Sequence, residues 1–417
     1  MRELEILLFG AGVAALGALA LGAVVVELSR NTRVAKGGLA VGLGLGVLAF
    51  GAKLVLIAGF DAFGARYLAL ALPEERARPE LVEHYPVATA SDLPRRYVWR
   101  ALPAAAPAPA DNPTTPAKVA LGERLFHDPR LSADDRVACA SCHDLARKGG
   151  ADGRPVSRGI GGAKGTRNAP TVINAAFQSR LFWDGRAGSL EEQALGPIAH
   201  PLEMGMASAE AAAEKLSAIA EYRTAFREAF GEEGVIAANI ARAIAAHERT
   251  LITPDTPYDR FVRGERDALD DRQLRGMALF AHYGCVGCHS GPNFSGASLF
   301  EGNAPLRAFP ALRGSDYESR YRLVEAGGNG VWRVPSLRNV TLTAPYFHNG
   351  AVADLREAIR VMARVQLNRV ADNRPEARWR VSWSPERRTT RAEPEVVITD
   401  AEVEAIAAFL GALEGAV

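Results

Sequence analysis

Two apolar runs open the chain. Ile6 to Val26 carries no charge and is long enough to cross a bilayer as a helix. Leu39 to Phe60 is interrupted only by Lys53, placed toward the end of its run, where the aliphatic stem lets the ammonium reach the interface. Gly38, Gly42 and Gly46 recur four apart, a spacing that lets two membrane helices pack closely. Met1-Arg2-Glu3-Leu4-Glu5 lacks the positive n-region of a cleaved signal peptide. Arg30, Arg33 and Lys36 lie between the runs, against Arg2, Glu3 and Glu5 ahead of them. The positive-inside rule then puts the short loop in the cytoplasm and both ends outside. Residues 1–60 read as a two-helix transmembrane anchor.

Past residue 60 the pattern changes. Prolines recur at 73, 79, 86, 94, 103, 107, 109, 113 and 116, and 103–109 predicts an extended, semi-rigid spacer. Residues 61–116 read as a linker, with His84, Tyr97 and Trp99 in surface or packing roles rather than against a partner or haem edge. Beyond it, apolar residues recur three and four apart, the period of an amphipathic helix. The spacing predicts helices over 117–127, 209–230, 235–251, 270–283 and 354–367. Ser189 with Glu192 and Thr399 with Glu402 are helix-starting signatures, the last helix ending near Leu413. Dense glycine over 149–165 predicts a loop, 332–348 is coil-rich, and 368–397 is a polar surface excursion. Pro254 and Pro257 mark a boundary, so 117–254 and 255–417 read as two domains.

Composition adds little. At 417 residues the chain holds two or three domains. Lys plus Arg, 49, balances Asp plus Glu, 48, so net charge gives no case for a nucleic-acid partner. The 48% hydrophobic content is concentrated at the N-terminus.

The cysteines decide the chemistry. All four lie in Cys139-Ala140-Ser141-Cys142-His143 and Cys285-Val286-Gly287-Cys288-His289. C-x-x-C-H is the spacing that attaches a c-type haem, two thiols forming thioethers and the imidazole ligating iron. A Cys₄ zinc centre is the alternative, but a histidine closes both copies, and the gap between them far exceeds a zinc ribbon. A thioredoxin-type dithiol needs one copy and no histidine. Two covalent haems are the stronger reading. The order helix, motif, long loop, helices occurs twice. Covalent haem attachment in bacteria belongs outside the inner membrane, in agreement with the topology of the two spans.

A family comes into view over 117–417. Leu121-Gly122-Glu123-Arg124-Leu125-Phe126, Arg167-Asn168-Ala169-Pro170-Thr171 and Phe182-Trp183-Asp184-Gly185-Arg186 appear in order. Val334-Pro335-Ser336-Leu337-Arg338-Asn339 and Leu342-Thr343-Ala344-Pro345-Tyr346-Phe347-His348 follow. Together they resemble the bacterial di-haem cytochrome c peroxidases and their MauG-type relatives. The two N-terminal runs and 368–397 are outside that family's usual pattern. The resemblance implies a mainly α fold of two cytochrome c-like haem domains, here preceded by two transmembrane helices. The first haem would be peroxidatic and the second an electron-transfer haem.

The resemblance also assigns residues. Met362 stands where the peroxidases carry the axial methionine of the second haem; by spacing alone it is a core residue of its helix. MauG-type enzymes carry tyrosine there, so Met362 points to the peroxidase branch. The displaceable distal histidine of the first haem falls at Ile160, which cannot ligate iron, and no histidine occurs between His143 and His200. Gln193, Pro197 and Glu203 fall on the distal side of that haem, Glu203 as acid–base group and Gln193 as hydrogen-bond donor. His200 adjoins them as a structural residue, a proton group or a ligand. Trp183 matches the tryptophan between the haems. The family's calcium ion would take Asn168, Thr343 and Pro345.

The implied partners are hydrogen peroxide, a small cytochrome c or other periplasmic donor including quinol, and the membrane; a homodimer fits as well. The expected place is the bacterial inner membrane with the haem domains facing the periplasm. Two rivals stand beside this reading: MauG-like oxidation of a protein or organic substrate, and a non-enzymatic electron carrier or redox sensor.

Overall fold

Most predicted helix starts carry a side-chain cap, the exception being the helix predicted over 235–251, which Ile236 opens without one. Thr115 accepts a hydrogen bond from the Lys118 N–H, with Pro116 in the first turn, where its missing donor costs nothing. The computed structural model describes residues 97–300, 305–311, 315–325, 328, 330–367, 370–371, 379–384, 389–394 and 397–417, all within one compact unit, Arg78–Val417. The two apolar runs with Lys53 and their glycines, His84 and the linker up to residue 96 lie outside the described residues. Among the described residues no helix is long and apolar enough to cross a membrane.

The fold is mainly helical. Its described α-helices are α1 (Pro116–His127), α2 (Leu190–Ala199), α3 (Ala209–Ser217), α4 (Ala220–Phe230), α5 (Ala237–Glu248), α6 (Pro257–Arg263), α7 (Asp271–His282), α8 (Asp316–Arg320), α9 (Leu355–Leu367) and α10 (Asp400–Gly411). Three short strand pairs accompany them. Leu306–Ala308 runs antiparallel to Val331–Arg333, Trp379–Ser384 antiparallel to Thr389–Pro394, and Val370–Ala371 parallel to Val397–Ile398. The last two pairs give the 368–397 excursion backbone order that its polar composition concealed.

Two cores organise the helices. Leu125, Tyr222, Phe226, Ile240 and Ile244 are fully or nearly buried in one built on α1, α4 and α5. Tyr258, Phe280, Phe294 and Phe409 are nearly or fully buried in the other, on α6, α7 and α10. In each, a glycine brings two helices into backbone contact. A Cβ on Gly122 would lie 1.9 Å from the Ala243 carbonyl oxygen, and one on Gly276 would lie 1.9 Å from that of Ala405. Neither carbonyl can yield without moving its helix. Gly276→Ala is therefore expected to destabilise the protein by about 3 kcal/mol, the upper end for overpacking a core. Chemical denaturation checks this; an unchanged midpoint would contradict the crossing.

Two expectations need correction. The predicted helix over 209–230 is two, α3 and α4, broken at Ala218-Ile219. The Ser217 hydroxyl bonds back to the Glu214 carbonyl at 2.7 Å, and Ile219 is extended, the local competition by which serine ends helices. The break lets Leu216, Ile219 and Tyr222 share one core. The end of the linker is likewise no free spacer. Leu102 is 2% exposed, and Trp99 packs edge-on to Tyr258 and Phe409.

The two halves repeat one plan in detail. Asn174 and Asn339 each precede a 3₁₀ turn in left-handed conformation, and Phe182 and Phe347 share positive φ. The bridges Leu181–Ala187 and Tyr346–Val352 correspond. Ser189 caps α2 and Asp354 caps α9, each accepting from the N–H three residues on. Keeping that constant spacing, Trp183 corresponds to His348 and Pro197 to Met362.

Candidate functional site

Each cysteine motif folds as one 3₁₀ turn. Cys142 and His143 N–H groups both donate to the Cys139 carbonyl, and Cys288 and His289 to that of Cys285, at 2.9 to 3.2 Å. Tight turns bring both thiols and the imidazole to the wall of a cavity of about 760 Å³ that the two motifs share. His143 Nδ1 lies 3.0 Å from the Gly150 carbonyl oxygen and His289 Nδ1 3.1 Å from that of Phe294. A carbonyl only accepts, so Nδ1 carries the proton of the neutral ring and leaves the Nε2 lone pair for a metal. Burial favours that neutral form, pulling His143 down and His289 to about 4.

The wall fits haem beyond its axial nitrogens. Arg333 is buried, its Nε donating to the Phe182 carbonyl at 3.0 Å, and burial pulls the guanidinium down to about 10. Among the described residues Arg307 Nε and Trp332 Nε1 are buried without a partner, and all three residues line the cavity. Such donors suit the carboxylates of a porphyrin's propionate arms. None of the four cysteines is in a disulfide. Among the described residues no group of three or more His, Cys, Asp or Glu is placed to hold a metal ion, so the Cys₄ zinc alternative has no geometry behind it.

Gln193, Pro197, His200 and Glu203 line this same cavity. Pro197, in the last turn of α2, supplies a carbonyl to the His200 and Met204 N–H groups. The Glu203 carbonyl accepts from Ile160 N at 2.9 Å. A Cβ on Gly159 would lie 2.0 Å from the Leu202 carbonyl oxygen, so the glycine loop presses directly on this turn. His200 Nδ1 accepts from Leu202 N at 3.3 Å and stands 3.7 Å from Glu203 Oε1, each side chain about two-fifths exposed. Ile160 does not line the cavity. Its side chain packs on Gly205, where a Cβ would lie 2.2 Å from Ile160 Cδ1.

Met362 lines the cavity from α9, half-buried. Trp183 lines it too, its indole N–H donating to the Asn168 carbonyl at 2.8 Å. Asn168 is buried and its amide donates to the Arg154 carbonyl, while Thr343 and Pro345 stand on the same wall.

One group escaped the sequence reading. His348 stacks on Trp332 at 4.2 Å and 18°, and meets the edge of Trp183 at 6.4 Å. Burial pulls its imidazole down to about 4. Arg167 covers Trp332 at 4.8 Å and pairs with Asp184 and Glu325. The legible signal was the repeat itself, which sets Phe347-His348-Asn349-Gly350 against Phe182-Trp183-Asp184-Gly185.

Comparison with known proteins agrees with two haem-attachment motifs. The family model for di-haem cytochrome c peroxidase matches residues 116–267. Cytochrome c peroxidase Ccp of Escherichia coli is 44% identical over 63% of the chain, which spans 56% of that relative's length. Cytochrome c551 peroxidase of Pseudomonas aeruginosa is 42% identical over 60% of the chain and 72% of its own. The crystal structure of a MauG-like protein associated with microbial copper homeostasis superposes with a TM-score of 0.61 at 30% identity. It covers 79% of this chain and 96% of that one. With two C-x-x-C-H turns on one cavity and these relatives, the chain belongs to the di-haem cytochrome c peroxidase family.

Proposed function

We propose that the protein reduces hydrogen peroxide to water, taking two electrons singly from a small cytochrome c. Residues 117–254 form the peroxidatic half and 255–417 the electron-transfer half. One observation carries the assignment: the repeat sets Pro197 where the other half has Met362. A pyrrolidine ring offers iron no donor, whereas a thioether sulfur does. Cys139, Cys142 and His143 would hold the haem whose far face stays open. Cys285, Cys288, His289 and Met362 would hold the one closed on both faces, and a Met–His pair raises its potential.

Haem bound at these two sites supplies a vacant iron coordination position for peroxide and a store for single electrons. The chain's own residues do the rest. Glu203 carries the proton from the near to the far peroxide oxygen. The Gln193 amide donates to the charge growing on the departing oxygen. Pro197 offers that face no ligand and Ile160 packs on Gly205 away from the cavity, so no histidine must be displaced before peroxide enters. Trp183 shortens the electron path between the haems. Asn168 with the Thr343 and Pro345 carbonyls offers oxygen ligands of the kind calcium takes. The two N-terminal apolar runs anchor the protein in the inner membrane with the haem halves in the periplasm, as their length and flanking charges support.

The test is turnover. Full-length holoprotein given hydrogen peroxide and a reduced small cytochrome c is expected to oxidise two cytochromes per peroxide. Cytochrome left reduced while an organic or protein substrate is oxidised would replace this reading with the MauG-like one. Neither reaction would leave the carrier.

A further inference from the structure

The stretch 97–102 is a strap on the proximal side of one haem site only. The Tyr97 hydroxyl accepts from Gly291 N at 2.7 Å. Trp99 lies 4.6 Å from Tyr97 and 6.2 Å from Phe294, ring to ring. The strap's own backbone is pinned as well. Tyr258 donates to the Arg100 carbonyl at 3.0 Å, and Leu102 N to Asp259 Oδ1 at 2.8 Å. Asp259 holds the fully buried Arg338, which donates to the Pro292 carbonyl at 2.7 Å. The loop 289–294 is thus gripped at successive residues.

What that grip holds is the partner of an axial ligand. His289 Nδ1 bonds to the Phe294 carbonyl, and Phe294 sits at φ 48°, left-handed and non-glycine. Such a residue is strained and persists only where its surroundings impose it. In the other half the same carbonyl belongs to Gly150, at φ 78°, where glycine adopts the conformation freely. One proximal loop holds itself; the other needs holding.

We propose that Tyr97 and Trp99 are positioning residues for the second haem. By gripping 289–294 they fix the Phe294 carbonyl on His289 and so set that haem's reduction potential. The inference rests on the reading of His289 as the axial ligand of the relay haem. An imidazole that donates Nδ1–H to a carbonyl is a stronger donor to iron, which favours the ferric state. Loosening the strap weakens that bond and favours the ferrous state.

Full-length holoprotein is titrated spectroscopically, each haem followed by its own absorption. In Tyr97→Phe and Trp99→Phe the haem attached at Cys285 and Cys288 is expected to shift toward reduction at least threefold. That is roughly 28 mV at 59 mV per tenfold. The haem at Cys139 and Cys142 is expected to move less, and the Gly291 amide to exchange faster with solvent in Tyr97→Phe. No shift, a downward shift, or an equal shift of both haems would overturn the proposal. A wild-type spectrum lacking a His–Met haem would sink the relay assignment instead, and the potential of the haem at Cys285 and Cys288 would still decide the strap.

Discussion

Glu203→Gln is expected to lower peroxide turnover about a thousandfold, with both haems still attached and their spectra unchanged. General acid–base catalysis contributes roughly 10² to 10⁴ in rate, and glutamine keeps the shape and a hydrogen bond while losing the mobile proton. The side chain is 42% exposed, so its replacement removes little packing. Its backbone is held independently of the carboxylate, N–H to the His200 carbonyl at 3.0 Å and carbonyl to Ile160 N at 2.9 Å. Steady-state kinetics check it: kcat falls and KM for the cytochrome donor stays. A fall under tenfold would move the proton duty to His200, 3.7 Å away. His200→Ala would then show the large loss instead.

Met362→Leu is expected to open the second haem. Leucine fills similar space on α9 but brings no sulfur, and volume-conserving apolar exchange costs under about 1.5 kcal/mol. The fold therefore survives while the ligand is lost. Without the methionine that raises a c-type haem's potential, electron uptake from a cytochrome falls at least a hundredfold. That is roughly 120 mV at 59 mV per tenfold. Cytochrome-driven turnover falls with it, and the oxidised protein shows two high-spin haems. A retained low-spin signal would return Met362 to a core role.

What the sequence disclosed, it disclosed through chemistry with fixed local geometry. Cys139 to His143 and Cys285 to His289 name their cofactor because the spacing forces one turn. Thr399 with Glu402 announces α10, and both halves of that capping box form. The losses have a common cause in contacts distant along the chain. The strap has no helical period, and its order comes from Asp259, Tyr258 and Gly291, far along the chain. The break at Ile219 follows from which core Tyr222 must reach. Trp332 and Arg333 lie in a strand of only three residues and His348 in coil, and neither is long or regular enough for periodicity to mark burial. The folded halves add a second key, because their matching turns and bridges align Pro197 with Met362 without reference to another protein.

The most direct test of an open first haem and a closed second is the EPR and optical spectrum of the oxidised holoprotein, before and after hydrogen peroxide. The account predicts one high-spin haem, five-coordinate or water-bound, and one low-spin His–Met haem. It also predicts a prompt spectral change on adding peroxide without prior reduction. Two low-spin haems inert to peroxide would contradict it and place His200 or another side chain on the first iron.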